Sequence, residues 1–110
     1  MSDTAIVVCS RCSSSRLPGK AFKPVNGIPA IFILLDRLLT ADLPVVVAVP
    51  HGEIDDYRAR LSGYADKITL FPGNDGSPLH RTAEYLYGNP GINYVVRVTH
   101  TQHLLSLLRQ

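Results

Sequence analysis

The sequence predicts a layered α/β fold built on a mostly parallel sheet. Two short apolar runs, residues 5–9 and 45–49, are unbroken and rich in β-branched side chains. Such runs are typical of strands that are buried on both faces of a parallel sheet. A helical pattern lies between them, so the first 50 residues read as a βαβ unit, in which the helix crosses over the sheet in a right-handed sense.

The most regular helical pattern extends over residues 29–40. Asn26-Gly27 has turn chemistry just before it, and Pro29 suits the first position of a helix. The apolar residues then recur at i, i+3, i+4, i+7 and i+8, which predicts one buried face made of Ile31, Leu34, Leu35, Leu38 and Leu39.

The rest of the chain continues the alternation. We predict a second helix over residues 53–64, a third strand near 68–71 and a fourth strand over 92–98. The third helix is marked by the apolar residues Leu79, Ala83, Leu86 and Tyr87. The leucines of segment 102–110 predict a short final helix. All five tyrosines are expected to pack on the sheet: Tyr57, Tyr64, Tyr85, Tyr87 and Tyr94.

Length and composition indicate a single globular domain over residues 1–110. The formal net charge is only +2, which argues against nucleic acid as a partner, and 45% of the residues are hydrophobic, enough for a core. No run approaches the roughly 18 apolar residues of a membrane span. The amino terminus lacks the features of a signal peptide, and Cys9 and Cys12 are too close to staple a fold. We therefore expect a cytoplasmic protein.

A basic, serine-rich loop follows the first strand. Arg11, Arg16 and Lys20 can direct three cations at one anion, while residues 13–15 and Gly19 allow close backbone approach and offer hydrogen-bond donors. Ligands of open α/β sheets bind beyond the carboxyl ends of the strands, where this loop lies. The pattern fits a phosphate cradle, although a solvated basic loop has the same composition. It is neither a Walker A loop nor a dinucleotide fingerprint.

The order of the residues is more specific than their composition. Three stretches are distinctive: Arg11-x-x-Ser14-Ser15-Arg16-Leu17-Pro18-Gly19-Lys20 with the Lys23-Pro24 and Asn26-Gly27-x-Pro29 that follow; Phe71-Pro72-Gly73 through Leu79-His80-Arg81; and Tyr94-Val95-Val96-Arg97-Val98-Thr99. The first resembles the amino-terminal signature of the cytidylyltransferases that make CMP-activated sugar acids, and most closely the branch named for spore-coat polysaccharide biosynthesis. The second resembles the family's second loop, and the third resembles its strand before the metal site.

The resemblance implies a fold, a reaction and a set of roles. The fold would be the Rossmann-like nucleotidyltransferase (nucleotide-diphospho-sugar transferase) three-layer fold, truncated to its amino-terminal, nucleotide-binding half. The reaction would transfer CMP from CTP to a sugar or sugar acid and release pyrophosphate. Arg11 and Lys20 would act in catalysis on the phosphates. The residues implied to bind substrate are Ser13, Ser14, Arg16, Gly19 and Arg81.

The chain departs from the family pattern at its metal site. The family's fourth strand leads into Thr-x-Asp, whose aspartate binds Mg²⁺, but here Thr101 stands in the place of the aspartate and Ser77 stands where an acidic residue is expected. Mg²⁺ prefers carboxylate and phosphate oxygens, so it is expected only if the chain is active. The sequence fits either a truncated or frame-shifted copy or a domain trimmed for another purpose.

Three alternatives remain open at this stage. The chain could be an inactive remnant that binds a nucleotide, or an oligomerising scaffold that uses an unpaired edge of its fourth strand. Cys9 and Cys12 could also form a redox pair, or half of a zinc site whose other half is His100 and His103, although Cys9 lies among apolar strand residues and a structural role is favoured. His51 could approach a bound base, but an exposed loop histidine is the simpler interpretation.

Overall fold

The sheet has four parallel strands in the order β5-β4-β1-β6. A computed structural model describes residues 3–10, 20–74 and 76–99. Within these ranges, a separate two-stranded ribbon, β2-β3, precedes the first helix. The strands and helices are β1 (Thr4–Cys9), β2 (Pro24–Val25), β3 (Ile28–Pro29), α1 (Ala30–Leu39), β4 (Val45–Pro50), α2 (Ile54–Arg60), β5 (Thr69–Gly73), α3 (Pro78–Tyr87) and β6 (Tyr94–Thr99). The predicted α/β fold with a mostly parallel sheet is confirmed.

The two central strands are buried on both faces, as their unbroken apolar runs predict. Val7 and Val47 are 0% exposed. On one face, alternate residues of β1 and β4 pack against α1 and α2, with Leu35 and Tyr57 at the centre. On the other face, the remaining residues pack against α3 through Tyr85. Helices on both sides of the sheet give three layers.

The first helix and the turn before it match their predictions. Asn26 and Gly27 have φ angles of 53° and 83°, the positive values that a two-residue hairpin turn requires. This turn joins β2 to β3, and α1 begins directly afterwards at Ala30. The buried residues of α1 include three of the predicted five, and Leu38 and Leu39 pack at the edge of the same core; the buried set is Ala30, Ile31, Leu34 and Leu35.

The second helix is shorter than predicted. α2 spans Ile54–Arg60, and single 3₁₀ turns flank it at His51–Glu53 and Ser62–Tyr64. Leu61 leaves the helical region, with φ −101° and ψ 22°. Serine and glycine are weak helix formers, so Ser62-Gly63 favours an end at this point over two more turns of helix.

The third helix lies where the sequence predicts it but presents a different face. Leu79 is 63% exposed and Tyr87 is 93% exposed, whereas α3 turns Arg81, Thr82 and Tyr85 towards the sheet. Polar side chains can occupy that side because they find partners within the helix and its preceding loop: Thr82 Oγ1, for example, donates to the Pro78 carbonyl at 2.8 Å. The predicted helix is present, but of the apolar residues that mark it Leu86 packs against the core while Leu79 and Tyr87 lie on the surface.

The tyrosines divide between the core and the surface. Tyr57 and Tyr85 pack on opposite faces of the sheet as predicted, and Tyr64 packs against Phe32 with ring centroids 5.4 Å apart. Tyr87 and Tyr94 are instead exposed, Tyr94 by 66%, so the prediction is wrong for these two. No helix in the described ranges has the length and apolar character needed to cross a membrane. The predicted final helix, 102–110, lies outside those ranges.

Candidate functional site

The carboxyl ends of the strands meet along one edge of the sheet, where the basic loop begins. β1 ends at Cys9, whose partners across the sheet are Ala48 of β4 and Thr99 of β6. The end of β5 lies beside the end of β4, because Gly73 pairs with Pro50. The chain therefore leaves the same edge of the sheet after Cys9 and after Gly73, and this edge is where parallel α/β sheets bind ligands.

The structure describes both ends of the basic loop. Ser10 is 3% exposed, and its backbone N–H donates to the Ala48 carbonyl at 3.0 Å. The chain returns in a 3₁₀ turn, Lys20–Phe22, in which Ala21 is 1% exposed. Most of the predicted site residues lie outside the described ranges, and their roles stay predictions: Arg11, Ser13, Ser14, Arg16 and Gly19. Lys20 is placed as the first residue of the turn.

Tyr57 contacts both ends of this loop. Its hydroxyl lies 2.5 Å from Ser10 Oγ, and its ring centroid lies 5.2 Å from that of Phe22. Sequence analysis assigned Tyr57 to the core without a role at the site. Ser10 and Tyr57 are 47 positions apart, and no local pattern links them. The one signal in the sequence was that Tyr57 was expected to be buried in the helix after β4. A buried phenol generally needs a hydrogen-bond partner, so a contact of its hydroxyl could have been anticipated.

Arg81 is a buried cation at the end of β5. It is 1% exposed, and its Nη1 donates to the Asn74 carbonyl at 3.1 Å. Its Nε has no acceptor among the described residues. An unsatisfied buried donor, especially on a charged group, lowers stability unless a partner completes it. The structure thus places this predicted substrate-binding residue at the expected edge of the sheet, with an Nε that has no acceptor in the part of the chain that is described.

The loop after β5 is organised around the first turn of α3. The Asn74 side chain accepts from the Gly76 N–H at 2.6 Å, and Ser77 Oγ accepts from the His80 N–H at 3.1 Å. Ser77 is therefore the N-cap of α3, a position that serine fills well. At position 77, where the family resemblance led us to expect an acidic residue, the serine of this chain caps the helix.

Two other residues weighed from the sequence have ordinary surroundings. Cys9 is a buried free thiol whose Sγ lies 3.5 Å from Thr82 Oγ1. That contact with α3 fits the structural role favoured for Cys9, and its possible zinc partners, Cys12, His100 and His103, lie outside the described ranges. His51 is exposed, as expected of a loop histidine.

The described residues do not supply a metal site. No group of three or more His, Cys, Asp or Glu side chains in the described ranges is arranged to hold an ion. The nearest family landmark, the position of Thr101, lies beyond them. The residues that are described therefore do not fit a Mg²⁺ ion held chiefly by protein ligands.

A sizeable cleft lies elsewhere on the molecule. It has a volume of about 700 Å³ and is lined by residues that include Asp36, Asp42, Pro44 and Lys67. Pro44 directly precedes β4, so this cleft opens at the amino end of the strand, away from the basic loop. Its position argues against a role in the same site, because ligands of parallel sheets bind at the carboxyl ends.

Comparison with known proteins identifies the family. The family model described as cytidylyltransferase matches residues 5–106. The chain belongs to the cytidylyltransferase family. An alignment of 110 positions, which covers 96% of the chain, gives 27% identity to a 3-deoxy-manno-octulosonate cytidylyltransferase of Pectobacterium carotovorum. A second protein of that name, from Rhodospirillum centenum, is 43% identical over 61 residues, 54% of the chain.

The fold is also similar to that of a solved family member. The structure of CMP:2-keto-3-deoxy-manno-octonic acid synthetase complexed with CTP superposes with a TM-score of 0.69 and 26% identity over 90% of the chain. This cytidylyltransferase chain spans only part of its relatives: 43% of the Pectobacterium protein, 24% of the Rhodospirillum protein and 40% of the CTP complex. The three-layer fold implied by the sequence agrees with this neighbour.

Proposed function

We propose that this chain binds CTP and serves the transfer of CMP to a sugar or sugar acid, with release of pyrophosphate, for surface-polysaccharide synthesis. Family membership and the CTP-bound structural neighbour support the nucleotide. The names of the two relatives support a sugar acid as acceptor. The observation that carries the proposal is Arg81, a buried cation at the edge of the sheet from which the basic loop departs, whose Nε donor has no partner among the described residues.

The proposed reaction is an in-line displacement at the α-phosphorus of CTP. A hydroxyl oxygen of the sugar acid forms the new P–O bond, its proton leaves to solvent, and the bond to the bridging oxygen of pyrophosphate breaks. Such a step depends on alignment and on cations placed where negative charge grows. In this proposal Arg11 and Lys20 hold the phosphates, Ser13, Ser14 and Gly19 supply loop donors, and Arg16 assists.

Arg81 would contribute through its unused Nε. The Asn74 carbonyl holds one arm of the guanidinium, which fixes the plane of the group at the end of β5. An oxygen of the bound nucleotide would then complete the hydrogen bonding of the side chain. Because a buried charged donor gains most from a partner in a low-dielectric setting, this contact would favour the bound state strongly.

The proposal extends to Mg²⁺ and to the cellular compartment. Mg²⁺ commonly keeps several waters and binds substrate phosphates, so it would arrive with the triphosphate of CTP and need few protein ligands. We place the protein in the cytoplasm, because Cys9 is an unpaired thiol and a reducing compartment keeps such thiols reduced.

Titration calorimetry with CTP and Mg²⁺ tests the proposal, with ATP as the comparison nucleotide. We expect selective binding of CTP and, in Lys20→Ala, a fall in affinity of about tenfold or more, since a charge-assisted hydrogen bond is worth roughly 1.5–3 kcal/mol. Lys67→Ala is the matched control, because Lys67 lines the cleft beyond the amino end of β4. A folded wild-type chain that does not bind CTP would refute the proposal, and unchanged binding in Lys20→Ala would remove the phosphate cradle.

One observation favours oligomerisation as a second candidate function. β6 is an edge strand of the described sheet, and Tyr94 and Val96 are 66% and 49% exposed. We propose that β6 pairs with β6 of a second copy. Antiparallel pairing centred on Val96 would set Tyr94 beside Val98 of the partner copy and keep Arg97 opposite Val95, so that no like charges face each other.

Sedimentation velocity tests this second candidate. Val96→Lys should convert a dimer into a monomer, because a lysine on the edge disfavours pairing. Thr69→Lys is the control, since Thr69 is an exposed residue of β5, the other edge strand. A monomeric wild-type chain, or a dimer that persists in Val96→Lys, would contradict the pairing. Conversion of CTP to pyrophosphate would separately distinguish an enzyme from a remnant that only binds.

A further inference from the structure

We propose that Tyr57 is a positioning residue for nucleotide binding, because its side chain holds both ends of the basic loop. This inference rests on the proposed function in assigning the loop, residues 11–19, to CTP. Tyr57 lies on α2, outside the loop and outside the motifs that resemble the family signature. Its role would be to fix where the loop leaves the sheet and where it returns.

The first contact is at the exit of the loop. Ser10 is the residue after β1, and its backbone is fixed by the bond from its N–H to the Ala48 carbonyl. Its Oγ lies 2.5 Å from the Tyr57 hydroxyl, and the two side chains belong to residues that are 3% and 0% exposed. A hydrogen bond between two buried hydroxyls is short and directional. Removing one hydroxyl takes this hydrogen-bond partner away from the other, which lowers stability.

The second contact is at the return of the loop. The Phe22 ring meets the Tyr57 ring at a centroid distance of 5.2 Å and an interplanar angle of 51°. The Arg60 guanidinium lies over the Phe22 ring, 4.7 Å from its centroid, and Arg60 Nε donates to Asp56 Oδ1 at 3.1 Å. A continuous chain of contacts, which we call the loop brace, therefore links Asp56, Arg60, Phe22, Tyr57 and Ser10.

The brace lowers the cost of organising the loop for binding. Every residue that a ligand must order subtracts from the free energy of binding, and a loop with fixed ends has fewer conformations to lose. Ser10 and Phe22 both contact one side chain of α2, so the points at which the chain leaves and re-enters the described fold are fixed. A change at Tyr57 should weaken binding even if Tyr57 touches no part of CTP.

A double-mutant cycle on the full chain tests the brace. Tyr57→Phe keeps the ring and its contact with Phe22 but removes the hydroxyl, and Ser10→Ala removes the other partner. From the usual net value of a hydrogen bond, each variant should lower the affinity for CTP by roughly three- to tenfold. The double variant should lose no more than either single variant, because both remove the same bond. Tyr85→Phe, a buried tyrosine on the opposite face that packs against Phe71, should bind as the wild type does.

A readout without nucleotide separates the brace from the proposed function. We expect the initial rate of tryptic cleavage after Arg11 and Arg16 to rise at least threefold in Tyr57→Phe, at a temperature where the chain is folded, and to stay unchanged in Tyr85→Phe. If the wild-type chain fails to bind CTP while cleavage behaves as expected, the proposed function fails and the brace stands. Unchanged cleavage in Tyr57→Phe, or additive losses of affinity in the cycle, would overturn the brace.

Discussion

The side chain of Arg81 fills the space beside Gly73 that any larger residue would need. A Cβ at position 73 would lie 2.9 Å from Arg81 Cγ and 3.2 Å from Arg81 Cβ. These atoms belong to the stem of the side chain near the backbone of α3, so they cannot swing aside as a flexible tip could. The absence of a side chain at the end of β5 is thus what lets the buried guanidinium reach the Asn74 carbonyl.

Gly73→Ala should therefore destabilise the fold and displace Arg81. We expect a loss of about 1–3 kcal/mol in the free energy of unfolding, the usual cost of forcing an extra carbon into a packed site. Urea denaturation followed by circular dichroism measures the loss. Gly63→Ala is the control, because a Cβ at Gly63 meets no atom within 4 Å. Equal stability of the two variants would show that Arg81 is not held where the structure places it.

Arg81→Met separates the contribution of Arg81 to stability from its contribution to binding. Methionine can follow the same path beside Gly73 without burying a charge, so the free energy of unfolding should fall by no more than about 1.5 kcal/mol. The affinity for CTP should fall by about tenfold or more if the guanidinium donates to the nucleotide. Denaturation and calorimetry on one preparation give both values, with the exposed Arg97→Met as control. A loss of 3–5 kcal/mol in stability would instead indicate a buried ion pair.

The parts of the fold that follow from short sequence patterns were predicted well. β1, β4 and α1 are set by runs and repeats of apolar residues that each lie within about a dozen positions, and the Asn26-Gly27 turn requires only two residues with positive φ. The basic loop was found from its composition and its place after β1, and family resemblance added Arg81 and the roles of the loop residues. The sequence could not show that Arg81 would be buried, or that its Nε would have no partner among the described residues, because both depend on the approach of α3 to β5.

The misassigned features depend on contacts between distant residues. Arg81 and Thr82 turn inward on α3 because the Asn74 and Pro78 carbonyls accept their hydrogen bonds, and this leaves Leu79 outside. A hydropathy pattern places polar residues outward and cannot anticipate such partners. The hydrogen bond between Ser10 and Tyr57 likewise links the residue after β1 to the helix between β4 and β5, and these segments meet only in the folded topology.

Leucine truncations on two helices should differ sharply in their effect. Leu35 of α1 is 0% exposed within the core, so Leu35→Ala should lower the free energy of unfolding by about 2–5 kcal/mol. Leu79 of α3 is 63% exposed, and Leu79→Ala should change the free energy of unfolding by no more than about 0.5 kcal/mol. Urea denaturation of the two variants measures the contrast. A large loss in Leu79→Ala would mean that the exposed face of α3 is covered in solution.

Tyr64 should make stability depend on alkaline pH. Partial burial raises the pKa of Tyr64 to about 12, and the hydrogen bond to Asp36 and the charge of Asp36 act in the same direction. Its hydroxyl donates to Asp36 Oδ1 at 2.7 Å, an interaction that needs the proton. Because the pKa in the unfolded chain is about 10, the contribution is fully present below pH 10. It should be lost as the pH rises from there through about 12.

The measurement is the difference in unfolding free energy between the wild-type chain and Tyr64→Phe, taken at several pH values from 8 to 12. The difference should be constant below about pH 10 and change in favour of Tyr64→Phe above it. In that range the unfolded wild-type chain releases the Tyr64 proton more readily than the folded chain does, and this favours unfolding of the wild type alone. Asp36→Asn should narrow the pH window, since it removes the charge and leaves burial as the main cause of the raised pKa. Parallel pH profiles for the wild type and Tyr64→Phe would show that the bond to Asp36 does not persist in solution.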